Sequence, residues 1–89
     1  MIKTLNLGDI VISKAGRDTN KMFVVTQVVN QDFVLICNGK LKDIDRPKLK
    51  RAKHLRVFAH SENLAEKLAQ SNIENVDIIN ELDSLTQNY

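Results

Sequence analysis

The chain has one cysteine, Cys37, in 89 residues. No internal disulfide can form, and a thiolate zinc site, which needs several ligands, is excluded. There is one proline, Pro47, and there are three glycines. Aromatic residues make up 4% of the chain, and tryptophan is absent. Phe23 and Phe33 sit inside apolar runs and read as core, which leaves Phe58 and Tyr89 as the candidates for exposure. That is too few for a platform on which bases stack. No apolar run approaches the roughly 18 residues of a membrane span, and residues 1–9 lack the long apolar core of a secretion signal. The expectation is a cytoplasmic protein in a reducing compartment. Signatures of catalysis are missing too: no Gly-rich nucleotide loop, no nucleophile elbow, no HExxH. His54 and His60 have no Cys, Glu or Asp at metal-ligand spacing and read as surface residues, with His54 at a basic face. No enzyme activity, cofactor or metal is expected.

What is present is ordinary globular composition, 43% hydrophobic and 27% charged. A chain this short is expected to bury about 60–68% of its unfolded surface and to have a stability of about 4–13 kcal/mol. It has little room for a deep substrate cavity. The net charge of +2 hides an asymmetry. Residues 1–56 hold twelve basic and five acidic side chains, a net of +7, whereas residues 57–89 hold Lys67 against six acids, a net of −5. A basic body points to a polyanionic partner.

The first half reads as strands. Residues 9–14 form a short β-branched run between Gly8 and Gly16. Residues 22–29 are a second run, broken by a turn at 30–32, and residues 33–37 are a third. Asn38-Gly39 then predicts a type I′ hairpin, in which both residues take positive φ. Residues 40–44 return as a fourth strand that Pro47 ends, with a twist or bulge because Leu41 and Ile44 differ in parity. Residues 53–58 are the fifth. Five short strands with tight connections predict a small antiparallel barrel, with Ile10, Ile12, Phe23, Val25, Val28, Val34, Ile36 and Leu55 inward. After residue 60 the period changes. Ser61 caps a helix over 62–70 carrying Leu64 and Leu68. Asn75 caps a second helix with a Val76, Ile79, Leu82 stripe that Leu85 extends. Two such helices must pack on the barrel, on each other or on a partner. The boundaries are a barrel over 1–58 and an acidic helical extension over 59–89.

Two stretches concentrate cations. The loop 14–21 offers Lys14, Arg17 and Lys21 around Gly16, a combination that brings backbone N–H groups and ammonium heads to a phosphate. Its plainer reading is a solvated turn. Residues 40–56 carry Lys40, Lys42, Arg46, Lys48, Lys50, Arg51, Lys53 and Arg56 against Asp43 and Asp45, with Lys48, Lys50 and Arg51 expected in irregular backbone after Pro47. Such density repels itself unless a counter-charge relieves it; the plainer reading is a solubilising face. With few aromatics, the pattern favours phosphate and shape readout of structured RNA.

Leu7-Gly8-Asp9-Ile10-Val11-Ile12-Ser13-Lys14-Ala15-Gly16-Arg17-Asp18, followed by Met22-Phe23-Val24-Val25, resembles a KOW motif. Phe33-Val34-Leu35-Ile36-Cys37-Asn38-Gly39 and Pro47-Lys48-Leu49-Lys50-Arg51-Ala52-Lys53-His54-Leu55 extend the likeness. Together they resemble the small bacterial KOW-domain RNA-binding proteins, similar to KOW-type large-subunit ribosomal proteins of archaea and eukaryotes. The resemblance covers residues 7–55. It implies a mainly β fold, a five-stranded SH3-like antiparallel barrel of KOW type followed by two short helices. It also implies RNA binding around translation or the ribosome. Gly16 matches the family's glycine between the first two strands, and Lys14, Arg17 and Lys21 match its basic loop. Asn20 departs from the pattern, standing where a second glycine is common. The expected RNA contacts are therefore Lys14, Arg17, Lys21, Lys42, Arg46, Lys48, Lys50, Arg51 and Lys53, with ribosomal RNA or the ribosome as partner and no membrane. The alternative is a protein-interaction module using the barrel and the C-terminal helices, with self-association among its forms. A third possibility is that the acidic tail folds over the basic body and competes with RNA.

Overall fold

Five antiparallel strands make one sheet: β1 (Asp9–Ser13), β2 (Met22–Val28), β3 (Phe33–Cys37), β4 (Lys48–Arg51) and β5 (Leu55–His60), in the order β4-β3-β2-β1-β5. Two helices follow, α1 (Glu62–Ala69) and α2 (Asn75–Thr86). This is a computed structural model, and it describes residues 4–87. Tyr89, a candidate exposed aromatic, lies outside the described residues, as does Lys3. β4 and β5 are the two edges, and no ladder joins them, so the sheet is open where a closed barrel was predicted. No described helix is long and apolar enough to cross a membrane.

Side chains alternate between the faces of a strand, and here both faces are covered. Val11, Phe23, Val25, Val34, Ile36 and Leu55 pack with Leu5 and Ala52 on one side. Ile10, Val24 and Cys37 pack under Leu64, Ile78 and Leu82 of the helices on the other. β1 is buried along its whole length, so its apolar run need not alternate. The predicted inward set is corrected accordingly. Ile10 faces the helices, and Val11 takes the inner side. Ile12 is buried outside both clusters, and Val28 is 43% exposed. The register shifts between Ile10 and Val11 and between Val25 and Gln27, and such bulges change which residues face inward. Phe58 is not an exposed aromatic; it packs partly buried against the helix-side cluster. Cys37 is a buried small side chain whose thiol donates to the Asp43 carbonyl at 3.3 Å. Burial pushes its pKa up to about 11.

The fourth strand is misplaced in the sequence reading. Residues 40–44 are a loop, and the strand is Lys48–Arg51. Asn38 does not take positive φ, which excludes the type I′ turn; Gly39 alone of the pair does. Asn38 Oδ1 instead accepts the N–H groups of Lys40 and Lys42 at 3.0 and 3.2 Å. An Asx arrangement of this kind competes with a tight hairpin. The loop is then pinned to α2: Asn75 Oδ1 accepts the Ile44 N–H at 2.8 Å.

Ser61 caps α1 as predicted, accepting the Leu64 N–H at 3.2 Å. In α2 the N-cap is Glu74, not Asn75, whose amide holds the loop instead. Asp77 Oδ2 accepts the Glu74 N–H at 3.0 Å, which lowers the Asp77 pKa first, with Lys67 beside it adding to the effect. The buried stripe is Ile78 and Leu82 with Leu85 partly covered; Val76 is 52% exposed.

His60 closes the corner where β1, β5 and α1 meet. Its Nδ1 is 2.7 Å from Asp9 Oδ1 and its Nε2 is 2.8 Å from Glu62 Oε1. Hydrogen bonding to Asp9, then to Glu62, raises the His60 pKa above its ordinary 6.5. A raised folded-state pKa gives stability that is fully present below the unfolded value and lost as pH rises through the folded one. Stability is therefore expected to decline from pH 6.5 upward across that raised value, and His60→Gln should flatten the decline. The ring is 37% exposed, so solvent screening holds the effect to about 1 kcal/mol or less. Urea midpoints over a pH series measure it, and identical profiles for the two proteins would refute it.

Candidate nucleic-acid interface

The β1–β2 connection is built to hold a tight shape. Gly16 and Asn20 take φ of +78° and +69°, so asparagine fills the position where the resemblance led to a second glycine. Between them a single 3-10 turn runs Gly16–Asp18. The Ser13 N–H donates to Lys21 O at 3.0 Å, and the Asn20 N–H donates to Ser13 O at 2.8 Å, which closes the base of the loop. This is more than a solvated turn, because Asp18 is only 7% exposed.

What buries Asp18 comes from the second basic stretch. β4 alternates, so Lys48 and Lys50 lie on the inner face, paired with Ile36 and Val34. Their stems run over apolar surface while their ammonium groups reach the turn, as long cationic side chains do. Lys48 Nζ forms an ion pair with Asp18 Oδ2. Lys50 Nζ donates to the Ala15 carbonyl at 3.1 Å. The Lys48 hydrogen bond holds the Asp18 carboxyl below its ordinary range, and the charges of Lys50 and Lys42 act in the same direction. A third tie comes from the turn Ala52–His54, where His54 O accepts the Lys14 N–H at 2.8 Å. That tie sets exposed Lys53 beside exposed Lys14.

Six of the nine predicted contacts thus gather at one end of the sheet: Lys14, Arg17, Lys42, Lys48, Lys50 and Lys53. Arg17 is exposed on the turn itself. Among the described residues, Lys14, Arg17 and Lys53 have no ion-pair partner. Lys21 is exposed at the base of the loop and lines a cleft beside α2. Arg46 is exposed in the loop before β4, and among the described residues no ion pair ties it to the group. Arg51 is the clearest departure. It faces the opposite side of β4 from Lys48 and Lys50, its guanidinium 5.0 Å from the centre of the Phe33 ring. The acidic helices pack on one face of the sheet, and Lys48 and Lys50 share the other face with Val34 and Ile36. Sequence reasoning missed Asp18 as an anchor. It counted only as one acid diluting a basic region.

No protein-family model matches this chain, and no curated protein does. What the surface can bind is read from its own chemistry. Lys48 pairs with the one carboxylate, and the charges of Lys50 and Lys42 also act on it, so the turn keeps a positive excess. Around it stand further cations on short, fixed backbone, and such an array suits a run of phosphates more than a single small anion.

Proposed function

We propose that the protein is a non-enzymatic RNA-binding module of the KOW kind, an SH3-like barrel with an acidic helical extension. It acts in the cytoplasm on structured RNA, ribosomal RNA first, in a translation-related role. The observation that carries this reading is the convergence of Lys48 and Lys50 on the turn bearing Lys14 and Arg17, with the charge of Lys42 near enough to act on Asp18. The strand order β4-β3-β2-β1-β5 supports the barrel type, as does the reach of β4 side chains across to the β1–β2 turn.

Phosphate contacts release counterions, so affinity falls with salt. With about five contacts, log K against log salt is expected to have a slope of roughly −3 to −5. A titration on a folded ribosomal RNA fragment tests this, and a slope near zero rejects it. Co-sedimentation with ribosomes that nuclease abolishes supports RNA as the partner. Association with one protein that survives nuclease treatment supports the interaction-module alternative.

A further inference from the structure

A cleft of about 310 Å³ lies between the β1–β2 turn, residues 38–40 and α2. Met22, Ile79 and Leu82 give it an apolar floor, and Lys21, Lys40 and Asp83 stand around it. Among the described residues none of these three charged side chains has an ion-pair partner, and all three are exposed.

We infer that this cleft takes one unpaired guanine nucleotide, its base on the apolar floor and its phosphates at Lys21 and Lys40. The inference rests on the RNA-binding reading and deepens it. An apolar floor favours a flat ring with little cost of desolvation. Two unpaired ammonium groups favour an anion beside it. A nucleotide joins both requirements in one ligand. The volume is at the small end of ligand sites, which suits one nucleotide and not a larger cofactor. Asp83 selects among bases, because a carboxylate only accepts hydrogen bonds. Guanine presents two adjacent donors, N1–H and the N2 amino group, which match both carboxylate oxygens. Uracil, cytosine and adenine present one donor group each on that edge. Lys21 also ends the loop that carries Lys14 and Arg17, so a strand lying on the turn can continue into the cleft. RNA bases become readable in this way when they are unstacked in loops and bulges.

The test uses the full chain with GMP, CMP and two RNA hairpins of equal length, one fully paired and one with a single bulged guanosine. GMP, and CMP much less, should shift the backbone amide resonances of Lys21, Lys40 and Asp83. The bulged hairpin should bind about fivefold tighter or more than the paired one, the discrimination of one bidentate base contact. Asp83→Asn should remove that preference and leave the salt slope unchanged. An unchanged amide spectrum away from residue 83 will show that the variant folds. If GMP leaves the three amides unmoved, or the preference survives Asp83→Asn, the inference is overturned while the RNA reading stands on its salt slope. If GMP shifts them but neither hairpin binds with a measurable slope, the RNA reading falls and the cleft is a site for a free guanine nucleotide.

Discussion

Gly8→Ala is expected to remove about 2–5 kcal/mol of folding stability, a large share of the about 4–13 kcal/mol available to a chain of this size. Two costs add at this position. Gly8 has φ of +85°, which an L side chain adopts only with strain. A methyl group there would also stand 2.7 Å from Ser61 O and 2.7 Å from the Ala65 Cβ, with Ala65 N at 3.0 Å. Two of these are backbone atoms and the third is a Cβ fixed to the first turn of α1, so none of them can swing aside. Relief would need α1 to lift from the start of β1. The same residue donates its N–H to Val25 O at 3.0 Å and accepts the Ser61 N–H at 2.9 Å, so β1, β2 and α1 all lean on it. For a domain this small each kcal/mol shifts the midpoint by about 4–8 °C, so a fall of roughly 10 °C or more is expected. Gly16→Ala is the control. Its φ is +78°, but the nearest atom to an added methyl is the mobile Lys50 Nζ at 3.6 Å. It should lose only the conformational part, about 1–2 kcal/mol. Thermal and urea unfolding followed by circular dichroism separates the two variants. Equal losses would mean that α1 does not sit against Gly8.

The strands that the sequence announces are those whose residues are β-branched and buried on both sides. β1, β2 and β3 have cores of Ile10-Val11-Ile12, Phe23-Val24-Val25 and Val34-Leu35-Ile36, and any register keeps them apolar. β4 is the opposite case. Lys48-Leu49-Lys50-Arg51 alternates with the lysines inward and Leu49 outward, which inverts the rule that apolar side chains mark the inner face. Edge strands tolerate inward-pointing charges because these discourage pairing with another chain. The lysines also have somewhere to go, a carboxylate and a carbonyl on a turn 30 and 35 residues earlier in the chain. No local window contains that partner. The same holds for α2. Val76, Ile79 and Leu82 are spaced as well for a stripe as Ile78, Leu82 and Leu85, and only the position of the sheet chooses the second set. The cation clusters were legible by count. Their division was not, because it depends on strand parity at Arg51 and on the hidden charge of Asp18.

Reversing charge at Lys14, Arg17 and Lys53 together is expected to weaken RNA binding by more than about tenfold and to flatten the salt slope by about 2 to 3. The unfolding midpoint should stay in place, because none of the three side chains has an ion-pair partner among the described residues. Lys48 belongs to a different class although it is as basic. Lys48→Ala leaves the nearly buried Asp18 carboxylate without its ammonium partner, a loss of about 1–3 kcal/mol in folding. Its effect on RNA should be smaller than the effect of Arg17→Ala, since the Lys48 charge is already matched within the fold. Asp18→Asn then gives the opposite sign from every other variant. It releases Lys48 while Lys50 and Lys42 remain near, so RNA should bind more tightly, with a slope steeper by about 0.7 to 0.9, one more ammonium on phosphate. The variant pays in stability, and in a pH-dependent way. Asp18 has a lowered pKa in the folded chain, so its contribution is present above the ordinary value of 3.8 and is lost as pH falls through the depressed one. Wild type should lose stability over that acidic window, and Asp18→Asn should lose less there. Tighter RNA binding from a variant that is weaker in folding cannot come from a general loosening of the chain. A weaker or unchanged RNA affinity for Asp18→Asn would show that the Lys48 corner does not face the phosphates.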